Sequence, residues 1–203
     1  MKIIFDQVSK KYGNQEVIKD FSFTFTSKNY GVLGNNGSGK STLLKLISNL
    51  IVPNSGKINY FNKNIKLSNE EAIKNISFTA PYLELIEELD IYSLLKFHYK
   101  FKNPIIKNSS IIKMLGLRKY ENKKIFQLSS GIKQRLKLLL ALNTKSDFTI
   151  LDEPTTNLDD NGKEIYYNLY KKFKNKKSII IASNDKKDIV ESDIEIIRVN
   201  WFR

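Results

Sequence analysis

The sequence predicts an α/β fold in which a largely parallel sheet is covered by helices on both faces. Three observations carry that expectation. Apolar strand-like runs alternate with helical patterns along the chain, as in YGVL before STLLKLI. One strand–loop–helix boundary carries GNNGSGKS, residues 34–41, a glycine-rich pattern that wraps a phosphate. A later apolar strand, TILDEP, residues 149–154, ends on two acids.

The elements follow in order. Residues 3–26 are rich in β-branched and aromatic side chains, and FSFTFT, 21–26, alternates strictly, so it reads as a half-buried strand. YGVL, 30–33, reads as a strand, the glycine loop follows, and STLLKLI opens an amphipathic helix. SGKINYFN, 55–62, is a turn and strand, and strand character returns at 76–78. From about 81 to 124 the texture changes. LELIEELDIYSLLKFHYKF spaces its apolar residues by three and four, and IIKMLGL follows, so this block is expected to be helical and inserted in a mixed chain. Leu136, Leu139 and Leu140 predict a helix over 133–142, with Lys133, Arg135 and Lys137 elsewhere on its surface. A strand (DFTILDEP), a helix over 163–173, a strand (SIIIAS), a short helix and a strand at 194–199 complete the order. No repeat or low-complexity linker interrupts it, so residues 1–203 are expected to form one domain.

Composition narrows the chemistry. There is no cysteine and a single histidine, His98, which excludes disulfides, thiolate metal sites and multi-histidine sites. His98 is expected to be a surface or packing residue. No run approaches the roughly 20 apolar residues that a membrane span needs. The N-terminus carries charge too early for a signal-peptide core, and a soluble intracellular protein is expected. The net charge is +13, but Arg118, Arg135, Arg198 and Arg203 are the only arginines. The lysines are scattered, whereas nucleic-acid recognition favours clusters and guanidinium forks, so no nucleic-acid partner is expected.

The glycine loop implies a nucleotide site. Gly34, Gly37 and Gly39 let the backbone of Asn35, Asn36 and Ser38 close on phosphate oxygens, and the following helix adds its positive end at Ser41 and Thr42. Lys40 would reach the β- and γ-phosphates of ATP, and the Ser41 hydroxyl would coordinate Mg²⁺. A strand beside that loop would deliver Asp152 to the same Mg²⁺. Glu153, one residue on, could polarise a water aimed at the γ-phosphate. The stretch LSSGIKQR, 128–135, sets two serines and a glycine before a basic helix, which suits an N-cap and also an anion site.

Taken together, these parts resemble the nucleotide-binding domains of ABC ATPases over essentially the whole chain. LSSGIKQR resembles that family's LSGGQ signature. The resemblance implies a phosphate-loop NTPase core of three layers, an N-terminal antiparallel β subdomain and a helical subdomain inserted at about 81–124. It also implies a head-to-tail dimer, with the same or a sister subunit, around two Mg-ATP. In such a dimer Ser129, Ser130 and Gly131 would cover the partner's γ-phosphate. Tyr12 matches the position of an adenine-stacking ring. Asp159, in NLDD, matches the acid of the loop that links the two sites. The helical block would dock on a separate transmembrane permease, which places the chain in the cytoplasm on the inner face of the membrane.

The sequence departs from the family's pattern in three places. No glutamine lies between Gln15 and Gln127, where the family has one touching Mg²⁺. The signature has Ser130 for glycine and Ile132 for glutamine. Asn184 stands where the family has a histidine on the γ-phosphate; an amide donates a hydrogen bond there but carries no charge. Hydrolysis is therefore expected to persist, through Lys40, Ser41, Asp152 and Glu153, but to be slow. The leading expectation is the energy-coupling subunit of a membrane transporter. Its compactness resembles that of small exporter-type subunits. A nucleic-acid- or ribosome-associated ATPase of the same superfamily is the alternative; the span from Lys40 to Asp152 leaves no room for the insertions such relatives carry. A phosphoryl-transfer kinase is opposed by LSSGIKQR and NLDD.

Overall fold

In the computed structural model, residues 1–106, 110–189 and 194–199 are described. Two sheets organise them. Strands β1 (Lys2–Tyr12) and β2 (Gln15–Phe25) form a long antiparallel hairpin, and β4 (Ser55–Asn62) and β5 (Ile65–Lys66) extend it in the order β2-β1-β4-β5. The second sheet is parallel, in the order β6 (Ile76–Thr79), β7 (Phe148–Asp152), β8 (Ser178–Ser183), β3 (Asn29–Leu33) and β9 (Ile194–Arg198). This order brings β7, β8 and β3 side by side, with Leu33 level with Ser183 and Asp152 level with Ala182. The residues that leave these three strand ends therefore converge.

The alternation of side chains across the parallel sheet divides the core in two. Phe148, Ile150, Ile180 and Ala182 face the antiparallel sheet and α1 (Lys40–Ile47), packing with Ile3, Phe25, Leu43 and Leu44. Leu151, Ile179 and Ile181 face the opposite way, onto α5 (Ser130–Leu142) and α6 (Asp160–Phe173), where Leu136, Leu139, Tyr166 and Phe173 are buried. Every residue of β7 and β8 is buried, as strands covered on both faces require. The result is three layers, as the sequence implies, with an antiparallel N-terminal sheet.

FSFTFT behaves as its alternation predicts. Phe25 is fully buried, and Phe21 and Phe23 are partly so; Phe5, Phe25 and Tyr30 join them edge-to-face. Edge-to-face ring pairs contribute about 0.5–1.5 kcal/mol each beyond area burial. The Tyr30 hydroxyl accepts from the Thr26 N–H at 2.8 Å, so the polar end of this cluster is satisfied.

The block at 81–124 is less helical than its spacing predicts. After the short α2 (Asn69–Lys74), residues 83–90 are turns and irregular backbone; α3 begins at Ile91 and runs to Phe101, and α4 covers Ser110–Met114. The physical reason is a competing set of bonds. The Asp90 carboxylate caps α3 by accepting from the Ser93 N–H at 2.8 Å, and the Leu89 carbonyl accepts from Ile125 across an isolated bridge. Leu83 and Ile86 remain exposed, so their spacing marks no buried helical face. Residues 107–109 of the block lie outside the described residues. His98 is a packing residue, half-buried beside Tyr99, with its Nε2 2.8 Å from the Thr144 hydroxyl.

Two other helices begin earlier than predicted. α5 starts at Ser130 rather than 133, and α6 at Asp160 rather than 163. In each case a polar residue just upstream, Ser129 or Asp159, takes the N-cap conformation and adds most of a turn ahead of the first apolar position.

Candidate active site

β3 ends at Leu33 and the chain turns at once into the glycine loop. Gly34 admits no side chain: a Cβ there would lie 2.4 Å from Ser38 Oγ and 2.7 Å from the Val199 carbonyl oxygen. Gly39 takes φ 95° at the N-cap of α1, a left-handed conformation that glycine adopts without strain. A cleft of about 510 Å³ opens over this loop, lined by Tyr12, Val17, the residues from Asn36 to Thr42, and Glu153. The tight Tyr12–Gln15 end of the first hairpin brings Tyr12 there, with its ring 49% exposed.

Lys40 is only 6% exposed, yet it carries a full charge's worth of contacts. Its Nζ donates to the Gly34 carbonyl at 2.7 Å and the Asn35 carbonyl at 3.2 Å, and lies 3.7 Å from Glu153 Oε1. Ser38 Oγ is buried without a hydrogen-bond partner.

Asp152 is 1% exposed at the end of β7, and neither carboxylate oxygen has a partner at full hydrogen-bond distance. Burial pushes the Asp152 carboxyl above the ordinary aspartate range, while the facing Ser41 hydroxyl and the Lys40 and Lys45 charges favour the anion. A buried carboxylate with two free oxygens beside a serine hydroxyl suits a hard cation that keeps several waters and takes its remaining ligands from phosphate. Ser41 and Asp152 therefore fit Mg²⁺.

Glu153 takes φ 44°, a strained conformation for a residue with a Cβ. Its N–H donates to the Ala182 carbonyl at 2.8 Å, which fixes the turn and directs the side chain away from Asp152 toward Lys40 and Ser183. Burial pushes the Glu153 carboxyl up, Lys40 opposes this, and Asp152 and Asp188 add to it. The sequence reading missed Ser183 and Asp188. The Ser183 hydroxyl lies 2.6 Å from Asp188 Oδ2 and 3.2 Å from Glu153 Oε2, so its single proton serves one at a time. Asp188 is buried and also accepts from Thr155 Oγ1 at 2.8 Å. The only signal for this pair is an acid five residues beyond a buried strand end.

Asn184 lies across the loop, its amide donating to Asn36 Oδ1 at 3.2 Å. Replacing it by histidine should speed hydrolysis about tenfold without changing ATP affinity, since a charged donor gains roughly 1.4 kcal/mol on one phosphate oxygen only as charge builds there in the transition state. Steady-state turnover checks this. An unchanged rate would place residue 184 off the γ-phosphate.

Ser129, Ser130 and Gly131 do not line this cleft. Ser129 holds the N-cap conformation at the start of α5, but its hydroxyl makes no capping bond, so the simple capping role is not fulfilled; both serines are exposed. The segment after Glu153 leans on α5. Gln134 donates to the Pro154 carbonyl at 3.0 Å, Arg135 to Asp159 Oδ1 at 2.8 Å, and a Cβ on Gly131 would lie 3.0 Å from the Asn157 carbonyl oxygen. Asp159 also caps α6 by accepting from the Gly162 N–H at 2.7 Å. Asp159 is thus turned to its own chain here, away from the cleft.

Comparison with known proteins agrees with this geometry. Residues 18–156 match the family described as ABC transporter. An uncharacterized ABC transporter ATP-binding protein of Bacillus subtilis, YybJ, is 33% identical over 193 residues, spanning 90% of this chain and 85% of its own. A putative ABC transporter ATP-binding protein of Pyrococcus horikoshii, PH0132, is 30% identical over 89% of this chain and 70% of its own. A dimeric ATP-binding cassette, MJ0796, solved in a post-hydrolysis state with ADP and Pi, superposes with a TM-score of 0.80 at 25% identity, covering 98% of this chain and 94% of that one.

Proposed function

The chain belongs to the ABC transporter family as an ATP-binding, ATP-hydrolysing subunit, and from that premise we propose the part each residue plays. Tyr12 stacks on adenine. The backbone of Gly34, Asn35, Asn36, Gly37, Ser38 and Gly39, with Ser41 and Thr42 at the start of α1, surrounds the phosphates. Lys40 leaves the Gly34 and Asn35 carbonyls for the β- and γ-phosphate oxygens. Ser41 and Asp152 would hold Mg²⁺, which when bound offsets phosphate charge and polarises the γ-phosphorus. Glu153 accepts a proton from the attacking water, and Asn184 donates to the γ-phosphate.

The observation that carries this reading is one turn of chain. It sets the buried, unpartnered Asp152 carboxylate beside Ser41 and strains Glu153 toward Lys40. Ser129 and Ser130 are exposed, and Gly131 partly so, at the positive end of a 13-residue helix, and none of the three lines its own cleft. That exposure supports a role on a second copy's ATP, in a head-to-tail pair. Asp159 would then report across the pair through Arg135 and α5.

Among the described residues no helix is long and apolar enough to cross a membrane. We assign the transport step to a separate permease, with this subunit on its cytoplasmic face; the ATP-binding-protein names of the relatives support that division of labour. Exposed Phe97 and Phe101, one turn apart on α3, support the helical segment as the docking element. A tagged chain purified from detergent-solubilised native membranes should bring down a multi-span membrane protein in stoichiometric amount. Recovery of ribosomal proteins or nucleic acid without a membrane protein would contradict the transport role.

A further inference from the structure

Asp188 is buried and does not line the nucleotide cleft, yet hydrogen bonds lead from it to Glu153. It ends a single helical turn, Lys186–Asp188, that follows β8. Two other segments fix it in place. The Tyr166 hydroxyl, on α6, donates to the Asp188 carbonyl at 3.3 Å, and the Thr155 hydroxyl donates to its Oδ1 at 2.8 Å. Oδ2 is left for Ser183, whose hydroxyl donates to it at 2.6 Å. The Asp185 N–H donates to the same Ser183 oxygen at 3.1 Å, so the hydroxyl is held from two sides. Glu153 Oε2 lies 3.2 Å from that oxygen.

A serine side chain has three staggered positions, and only contacts select one. The shorter contact of Ser183 is to Asp188, so Asp188 sets the hydroxyl and the hydroxyl in turn seats Glu153. The φ of 44° fixes where the Glu153 side chain leaves the backbone, but not how the side chain lies beyond that point. Lys40 faces Oε1 at 3.7 Å, and in the mechanism above it turns to the phosphates when ATP binds. The Ser183 contact stays. We infer that Asp188 is a positioning residue for hydrolysis, acting through Ser183 to set the Glu153 carboxylate. This rests on Glu153 being the base.

Single-turnover hydrolysis of labelled Mg-ATP by the full chain, with the protein in excess, tests this. Asp188→Asn keeps the shape but has one acceptor oxygen where the carboxylate has two, so it cannot accept from Thr155 and Ser183 on separate oxygens. It should slow hydrolysis about tenfold, since misplacing a reacting group by about 1 Å costs up to 10²-fold. ATP affinity should be unchanged, because Asp188 does not line the cleft. In a Ser183→Ala background the same substitution should change the rate less than twofold, since the relay is already cut. An unchanged rate for Asp188→Asn overturns the role, and so does an equal loss in both backgrounds, which marks a merely structural residue. Should Asp188→Asn fail to fold, Ser183→Ala alone decides, and a parental rate there overturns the relay. If Glu153→Gln itself hydrolyses ATP near the parental rate in this assay, the assignment of the base fails instead.

Discussion

Glu153→Gln should reduce ATP turnover by roughly 10²–10⁴-fold, the range that a positioned general base supplies, while leaving ATP binding intact. The substitution keeps the shape of the side chain and its ability to accept from Ser183, which sits 3.2 Å from Glu153 Oε2. It removes the capacity to take a proton, together with the negative charge that faces Lys40 at 3.7 Å. The strain at φ 44° remains, so the backbone that aims the residue stays in place. The environment also sets a pH direction. Burial holds the Glu153 carboxyl above the ordinary glutamate range, and phosphate charge would push it further in the same sense. The proton-accepting form is lost as pH falls through that raised value, so the acid limb of the rate profile should lie above the usual carboxylate range. A Glu153→Gln variant that keeps turnover within about threefold would move the base elsewhere, with Asp188 the nearest buried carboxylate through Ser183.

Lys40→Met should weaken ATP binding by about 10²-fold, while AMP binding, which has no β- or γ-phosphate, stays near that of the parent. Two charge-assisted hydrogen bonds to phosphate, at roughly 1.5–3 kcal/mol each, account for a loss of that size. Methionine keeps the apolar stem in a position that is 6% exposed, so packing is largely preserved. Some stability is lost as well, since the ammonium satisfies two backbone carbonyls and faces Glu153. Calorimetric titration with ATP and AMP separates the two effects. Equal ATP affinity in parent and variant would show that the lysine does not reach the phosphates.

The parts of this site that are contiguous in sequence were legible there. GNNGSGKS lies wholly within one strand–loop–helix unit, and Asp152 and Glu153 are adjacent at a strand end, so local pattern suffices. The parallel sheet was readable because β7 and β8 are buried on both faces and carry continuous apolar runs. What stayed hidden depends on packing between distant segments. The turn at 80–83 is fixed by Lys45 and Lys137 from two separate helices, contacts that no local pattern announces. Ser183 and Asp188 meet because β8 ends in a tight turn. The helical pattern at 83–90 failed for the same reason: a pairing with residues 124–125 outcompetes local propensity. Ser129 was read correctly as an N-cap in backbone geometry, but its hydroxyl is free of the capping bond that serine usually makes.

The role proposed for the exposed serines at the start of α5 needs a second copy of the chain. Sedimentation velocity of Glu153→Gln with saturating Mg-ATP, combined with bound-nucleotide stoichiometry, tests that requirement directly. The result expected is a dimer holding two ATP per pair, which returns to monomer when ADP replaces ATP. A monomer that persists while every phosphate loop is saturated with ATP would contradict the shared site and leave Ser129, Ser130 and Gly131 without a phosphate to cover.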